Sequence, residues 1–235
     1  TPALCTVTKS FRNATLQCLF NIPNFNEYFI GGQYLKELQP NGRVAEQYAK
    51  LASNAVEVIE QKLNPSELKQ ALGSRQSQFL GYSQQDAQEL LVNLLECMGE
   101  DLSRVDKKSA LIDSSQQTSP GKGHQIVQKL INIERGVVVD NKLRDDSIVI
   151  DFFSGQLMSQ VTCSRCGSES IAFDNFRDMS LSFPRNESSV SLHSLLEGFF
   201  REETLAEDYF CSNCKSTSTH KVEPRLSRRK LSLFK

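Results

Sequence analysis

The sequence has no tryptophan, three methionines and three histidines in 235 residues. With only His124, His193 and His220 present, candidates for a general base or an imidazole metal ligand are few. Neither charge sign dominates: 27 Lys and Arg against 28 Asp and Glu give a net charge of −1 and a pI near 6.3. Without a basic field, neither nucleic acid nor an anionic membrane surface is expected as a partner. No run of 18 or more apolar residues occurs, so no membrane span is predicted. No secretory signal opens the chain either. It begins at Thr1 without an initiating Met, as a fragment or processed piece would.

What is present is enough chain for a substantial core, in one large domain or two small ones. Cys5, Cys18 and Cys97 stand alone, whereas Cys163 with Cys166 and Cys211 with Cys214 form two C-x-x-C pairs. An odd number in this arrangement is not a disulfide framework. It fits a metal site in a reducing compartment, cytoplasmic or nuclear.

Helical periodicity fills the first hundred residues. Ser10 is a favoured N-cap, and Phe11, Ala14, Thr15, Cys18, Leu19 and Ile22 follow at helical spacing until Pro23. Spacing alone makes this a capped core helix. A short aromatic turn is predicted over Asn24–Phe29, stopped by Gly31-Gly32. A long amphipathic helix is expected over Val44–Leu63, and a short one after Pro65 ending at Gly73. Ser83 and Asp86 make an S-x-x-D capping pattern before a helix over Gln84–Glu100, whose stripe is Ala87, Leu90, Leu91, Leu94, Leu95 and Met98. The pattern fades over 101–146, read as a partly flexible insertion or linker with a loop at Ser114–Gly123 and short apolar pieces at Ile126–Ile133 and Val137–Val139. From 147 to 235 the composition turns to β type. Strands are predicted at Ile148–Phe153, Leu157–Thr162, Ile171–Phe173, Met179–Phe183 and within Lys221–Phe234, and a short helix at Leu192–Phe200. The fold class is therefore α+β, helices first.

Cys163-Ser-Arg-Cys166 and Cys211-Ser-Asn-Cys214 have matching spacing. Each turn aims two sulfurs at one point, and two such knuckles give the closed Cys₄ shell of a structural zinc ion. Residues 167–210 lie between them, too many for a small zinc finger, so two hairpins clipped at their tips are expected.

Four blocks resemble the ubiquitin-specific protease family of papain-like ubiquitin carboxyl-terminal hydrolases. They are Asn13–Leu19 with Phe25–Phe29, then Phe79–Leu91 (F-L-G-Y-S-Q-Q-D-A-Q-E-L-L), then Phe153–Cys166 with Phe173–Phe176, and finally Tyr209–Cys214 with Lys221 and Leu226–Phe234. The resemblance implies a hand. Residues 1–100 would be a helical thumb, and 147–235 zinc-tipped β fingers with an incomplete palm. Ubiquitin and ubiquitinated proteins would be the partners. It also implies that Asp86, Gln88 and Glu89 contact the basic tail of ubiquitin. From the residues alone Asp86 is a capping acid and Glu89 a solvated first-turn acid, and both roles can coexist. Asp86→Arg is then expected to weaken ubiquitin binding at little cost in stability.

The departures fall where the chemistry of such a family sits. Val7-Thr8-Lys9-Ser10 stands where the family has G-N-T-C, so Ser10 holds the nucleophile's position, and Cys5 stands at that of the oxyanion-stabilising Asn. A serine hydroxyl is a far weaker nucleophile than a thiolate at neutral pH. None of the three histidines matches the family's catalytic one, which lies well beyond the second cysteine pair. Two explanations fit: a partial or mis-spliced catalytic domain, or a ubiquitin-binding pseudo-protease. The first is the expectation, since losing half a sheet exposes strand edges and apolar surface.

Overall fold

The computed structural model describes residues 10–57, 63–81, 83–105, 145–185, 188–204, 209–218 and 220–226. The sequence expectations for Cys5, Val7–Lys9, His124, the pieces between 106 and 144, and Leu231–Phe234 lie outside those residues. Chain contacts divide the protein into two units, one of residues 1–110 with 143–152, the other of 111–142 with 153–235.

The first unit is helical. Its described helices are α1 (Ser10–Phe20), α2 (Pro23–Ile30), α3 (Arg43–Glu57), α4 (Ser66–Arg75), α5 (Ala87–Asp101) and α6 (Ile148–Phe153, whose last residue passes into the second unit). Its centre is aromatic. The Tyr48 ring of α3 lies 4.9 Å from that of Phe29, 5.9 Å from Phe25 and 6.0 Å from Phe20. Tyr48 brings a hydroxyl into this core, where it must find an acceptor. The hydroxyl donates to Asn26 Oδ1 at 2.9 Å, and Asn26 Nδ2 donates to the Leu19 and Ile22 carbonyls, both at 2.8 Å. One amide therefore ties the end of α1 to α2 and α3.

A second tie is ionic. Asp101, 4% exposed at the end of α5, accepts from the Val44 and Ala45 amides at 2.8 and 3.0 Å and from Arg75 Nη1 at 2.7 Å. Its carboxylate thus satisfies donors that the first turn of α3 leaves open. Arg75 also pairs with Glu100. Arg104 forms a third tie, meeting Glu37 at 2.9 Å, Asp151 at 2.7 Å and Asp146 at 3.5 Å, while its amide donates to the Asp146 carbonyl.

Several local expectations change. Ser10 is already helical rather than a capping residue outside the helix. The buried face of α1 is Phe11, Arg12, Thr15, Leu16 and Leu19, with Ala14 and Cys18 exposed. The helix is rotated to bury Leu16, which has more apolar surface to remove from water than Ala14. Residues 58–62 lie outside the described set, and Leu63 is buried beyond α3. Gly73 does not end α4, which runs on to Arg75; a Cβ there would come within 2.5 Å of the Leu80 side chain, so close approach is what requires glycine. Asp86 rather than Ser83 caps α5. Ile148–Phe153 is a helix despite its β-branched composition: the Ser147 hydroxyl accepts from the Ile150 amide at 3.3 Å, and Ile148, Val149 and Ile150 are buried. Tertiary burial outweighs propensity there.

The second unit is built on β1 (Gly155–Cys163) and β2 (Glu169–Phe176), an antiparallel hairpin with Gly155 opposite Phe176 and Thr162 opposite Glu169. After β2 come helix α7 (Leu192–Phe199), β3 (Glu203–Thr204), β4 (Tyr209–Cys211), β5 (Ser216–Ser218) and β6 (His220–Leu226). The main sheet has the order β2-β1-β6-β3, with Cys163 of β1 opposite His220 of β6; β4 and β5 form a separate two-stranded sheet. Met179–Phe183 forms no strand. Ser191 caps α7, its hydroxyl accepting from the Ser194 amide at 3.1 Å.

Candidate functional site

The two cysteine knuckles sit at the two hairpin turns. The first closes β1 to β2, with the Cys163 amide donating to the Ser168 carbonyl and the Gly167 amide to the Cys163 carbonyl, each at 2.9 Å. The second closes β4 to β5, with Cys211 opposite Ser216. All four Sγ atoms lie within 4.8 Å of one another, Cys166 to Cys211 at 3.7 Å and Cys163 to Cys214 at 4.0 Å. A tetrahedral ion with bonds of about 2.3 Å requires sulfur separations of about 3.8 Å. These residues therefore fit a four-coordinate metal ion, with no position left for substrate or water.

Burial is uneven across the set: Cys163 and Cys211 are buried, Cys214 is half-buried and Cys166 is exposed. The Ser216 hydroxyl hydrogen-bonds to Cys214 Sγ at 2.9 Å and lowers the tendency of that thiol to hold its proton. Asn213 Nδ2 donates to Cys166 Sγ of the other knuckle at 3.6 Å. Neither residue stands out in the cysteine spacing. The only sequence signal is their place, one inside the knuckle and one just after it.

The knuckles share one backbone position but fill it with different residues. The residue after each second cysteine has positive φ, +67° at Gly167 and +53° at Lys215. Glycine adopts this freely, whereas a side chain there costs on the order of 1 kcal/mol. Lys215→Gly is expected to raise stability by roughly 0.5–1 kcal/mol in chemical denaturation, less the added freedom of the unfolded chain. An unchanged midpoint would show that relief of the left-handed backbone does not outweigh the added freedom of the unfolded chain.

The acidic and amide residues expected to meet ubiquitin lie together on the first turn of α5. Asp86 is its N-cap, the carboxylate accepting from the Gln88 amide at 2.6 Å and the Glu89 amide at 3.1 Å. All three side chains are exposed, and Gln78 Nε2 donates to Glu89 Oε1 at 3.2 Å. The cap corrects one expectation: Asp86→Arg removes two bonds to helix amides and costs on the order of 1 kcal/mol. Glu89 accepts no helix amide through its side chain and is the cleaner probe of this surface.

Ser10, at the nucleophile's position, is exposed at the start of α1. Of the histidines, His193 of α7 pairs with Glu197 at 3.1 Å on the surface, and His220 is buried in β6 opposite Cys163.

This α+β fold is that of the ubiquitin-specific proteases. One chain of the SAGA DUB module bound to monoubiquitin matches over 96% of this protein and 45% of its own length, with TM-score 0.66 and 18% identity. The same module bound to ubiquitin aldehyde matches over 96% and 44%, with TM-score 0.61 and 21% identity. The sequence profile described as Ubiquitin carboxyl-terminal hydrolase matches residues 5–225, and the chain belongs to that family. Among curated relatives, Ubiquitin carboxyl-terminal hydrolase 4 of Mus musculus is 32% identical over 199 residues, covering 80% of this chain and 20% of the relative. Ubiquitin carboxyl-terminal hydrolase 15 of Rattus norvegicus is 32% identical over 204 residues, covering 82% and 20%. The chain thus spans about a fifth of the length of these relatives.

Proposed function

We propose that this part of a ubiquitin-specific protease catalytic domain binds ubiquitin, holds one structural zinc ion at Cys163, Cys166, Cys211 and Cys214, and does not by itself cleave ubiquitin conjugates. The relatives' names and the ubiquitin-bound modules of like fold support ubiquitin, free or on proteins, as the partner. The exposed carboxylate and amide turn Asp86, Gln88 and Glu89 supplies the complementary chemistry for a basic, extended tail. The all-thiolate donor set favours zinc, and unpaired cysteines favour a reducing compartment, cytoplasmic or nuclear.

Inactivity rests on Ser10. Family chemistry needs a thiolate at a helix N-terminus, its pKa lowered by the helix dipole and a nearby imidazolium, to attack the carbonyl and form an acyl-enzyme. Serine at that place is protonated at neutral pH and needs a base. His193 is paired on α7 and His220 is buried beside the thiolate centre. A partial catalytic domain and a pseudo-protease share this behaviour. The test is a fluorogenic substrate joined to the ubiquitin C-terminus. No turnover is expected from the 235-residue chain. Turnover by the unaltered chain refutes inactivity.

A further inference from the structure

The four thiolates of the metal centre are not equally sheltered. Cys163 and Cys211 are 2% and 5% exposed, so burial keeps protons, oxidants and chelators from their sulfurs. Cys166 is exposed and Cys214 half-buried, and both of these sulfurs receive side-chain hydrogen bonds. Asn213 reaches Cys166 at 3.6 Å, and Ser216 meets Cys214 at 2.9 Å. With Cys214 ionised, the sulfur can only accept, so the Ser216 hydroxyl is the donor. Four thiolates around a divalent cation leave a net charge of −2, and donors aimed at the sulfurs offset that charge where water is nearest. The Asn213 bond also runs from the second knuckle to a sulfur of the first, linking the two hairpins apart from the ion.

We propose that Asn213 and Ser216 are positioning residues of the metal centre, whose side chains donate to the two less buried thiolates and slow escape of the ion from that side. This rests on the zinc reading above. Ser216, closer and half-buried, carries the larger share; Asn213, exposed and more distant, competes with water and carries less.

The test uses the whole chain loaded with zinc, then with Co²⁺ as a spectroscopic probe. Ser216→Ala is expected to speed zinc transfer to a chromogenic chelator roughly tenfold, and Asn213→Ala by less. Ser216→Thr, which keeps the hydroxyl, is expected to restore the slow rate. Loss of a hydrogen bond raises the energy of the sulfur lone pairs, so the sulfur-to-Co²⁺ charge-transfer band of Ser216→Ala should move to longer wavelength. A general loss of stability would not move it. Unmoved bands with wild-type release rates overturn the proposal while leaving the zinc reading intact. A wild-type chain that binds neither metal at one ion per chain overturns both.

Discussion

Removing the metal, by chelation or by Cys163→Ser, is expected to abolish the protection of the β4–β5 backbone against hydrogen exchange. The reason is the size of that element. β4 and β5 are three residues each and pair only with one another among the described residues. A lone two-stranded hairpin of this length is marginal in water. Its knuckle meets the first one through sulfur contacts and the bond from Asn213. A structural zinc ion contributes about 10–16 kcal/mol in zinc-finger peptides, comparable with the whole stability of a domain. Without it four thiols crowd one point and the hairpin loses its anchor. The longer β1–β2 ladder should keep more of its protection. Equal protection of β4–β5 with and without chelator would show that the thiolates do not hold a stabilising ion.

The second large effect lies in the helical unit. Asp101→Ala is expected to cost about 3–5 kcal/mol and lower the melting temperature by roughly 10 °C or more, measured by calorimetry. The substitution leaves the Val44 and Ala45 amides without their acceptor and removes one of the carboxylates facing Arg75. Asp101→Asn keeps an acceptor and should cost less. Burial raises the carboxyl above its usual range, outweighing the Ala45 amide, the Arg75 charge and the Val44 amide, which lower it. The stability this titration contributes is therefore full below the unfolded carboxylate pKa and is lost as pH rises through the raised folded value. The difference in stability between the unaltered chain and Asp101→Asn should accordingly widen on acidification. A loss below about 1 kcal/mol for Asp101→Ala would show that the carboxylate does not join α3 to α5.

The long helices and the thiolate centre were legible because each leaves a strong local pattern: the Leu90, Leu94, Leu95 and Met98 stripe, and the two C-x-x-C turns. What escaped depends on partners distant in sequence. Ile148–Phe153 has strand-like composition, and only burial of its β-branched residues with the Ser147 cap makes it helical. Ser83 and Asp86 both have capping chemistry, and the choice between them is one of three-dimensional register. Asp101 reads as a charged residue at the end of a pattern, yet the amides that donate to it lie far back along the chain, on α3. The resemblance supplied the family and the position of Ser10, which spacing alone presents as one more polar residue at a helix start.

The most direct test of the functional reading is a calorimetric titration of ubiquitin into the zinc-loaded chain, repeated with Glu89→Lys. Reversing this exposed charge leaves both Asp86 cap bonds in place, since these use the Gln88 and Glu89 amides and not their side chains. Saturable one-to-one binding by the unaltered chain is expected, weakened at least several-fold by Glu89→Lys and more so at low salt than at high salt. Absence of binding by the folded, metal-loaded chain, or an affinity unmoved by the charge reversal, would contradict it.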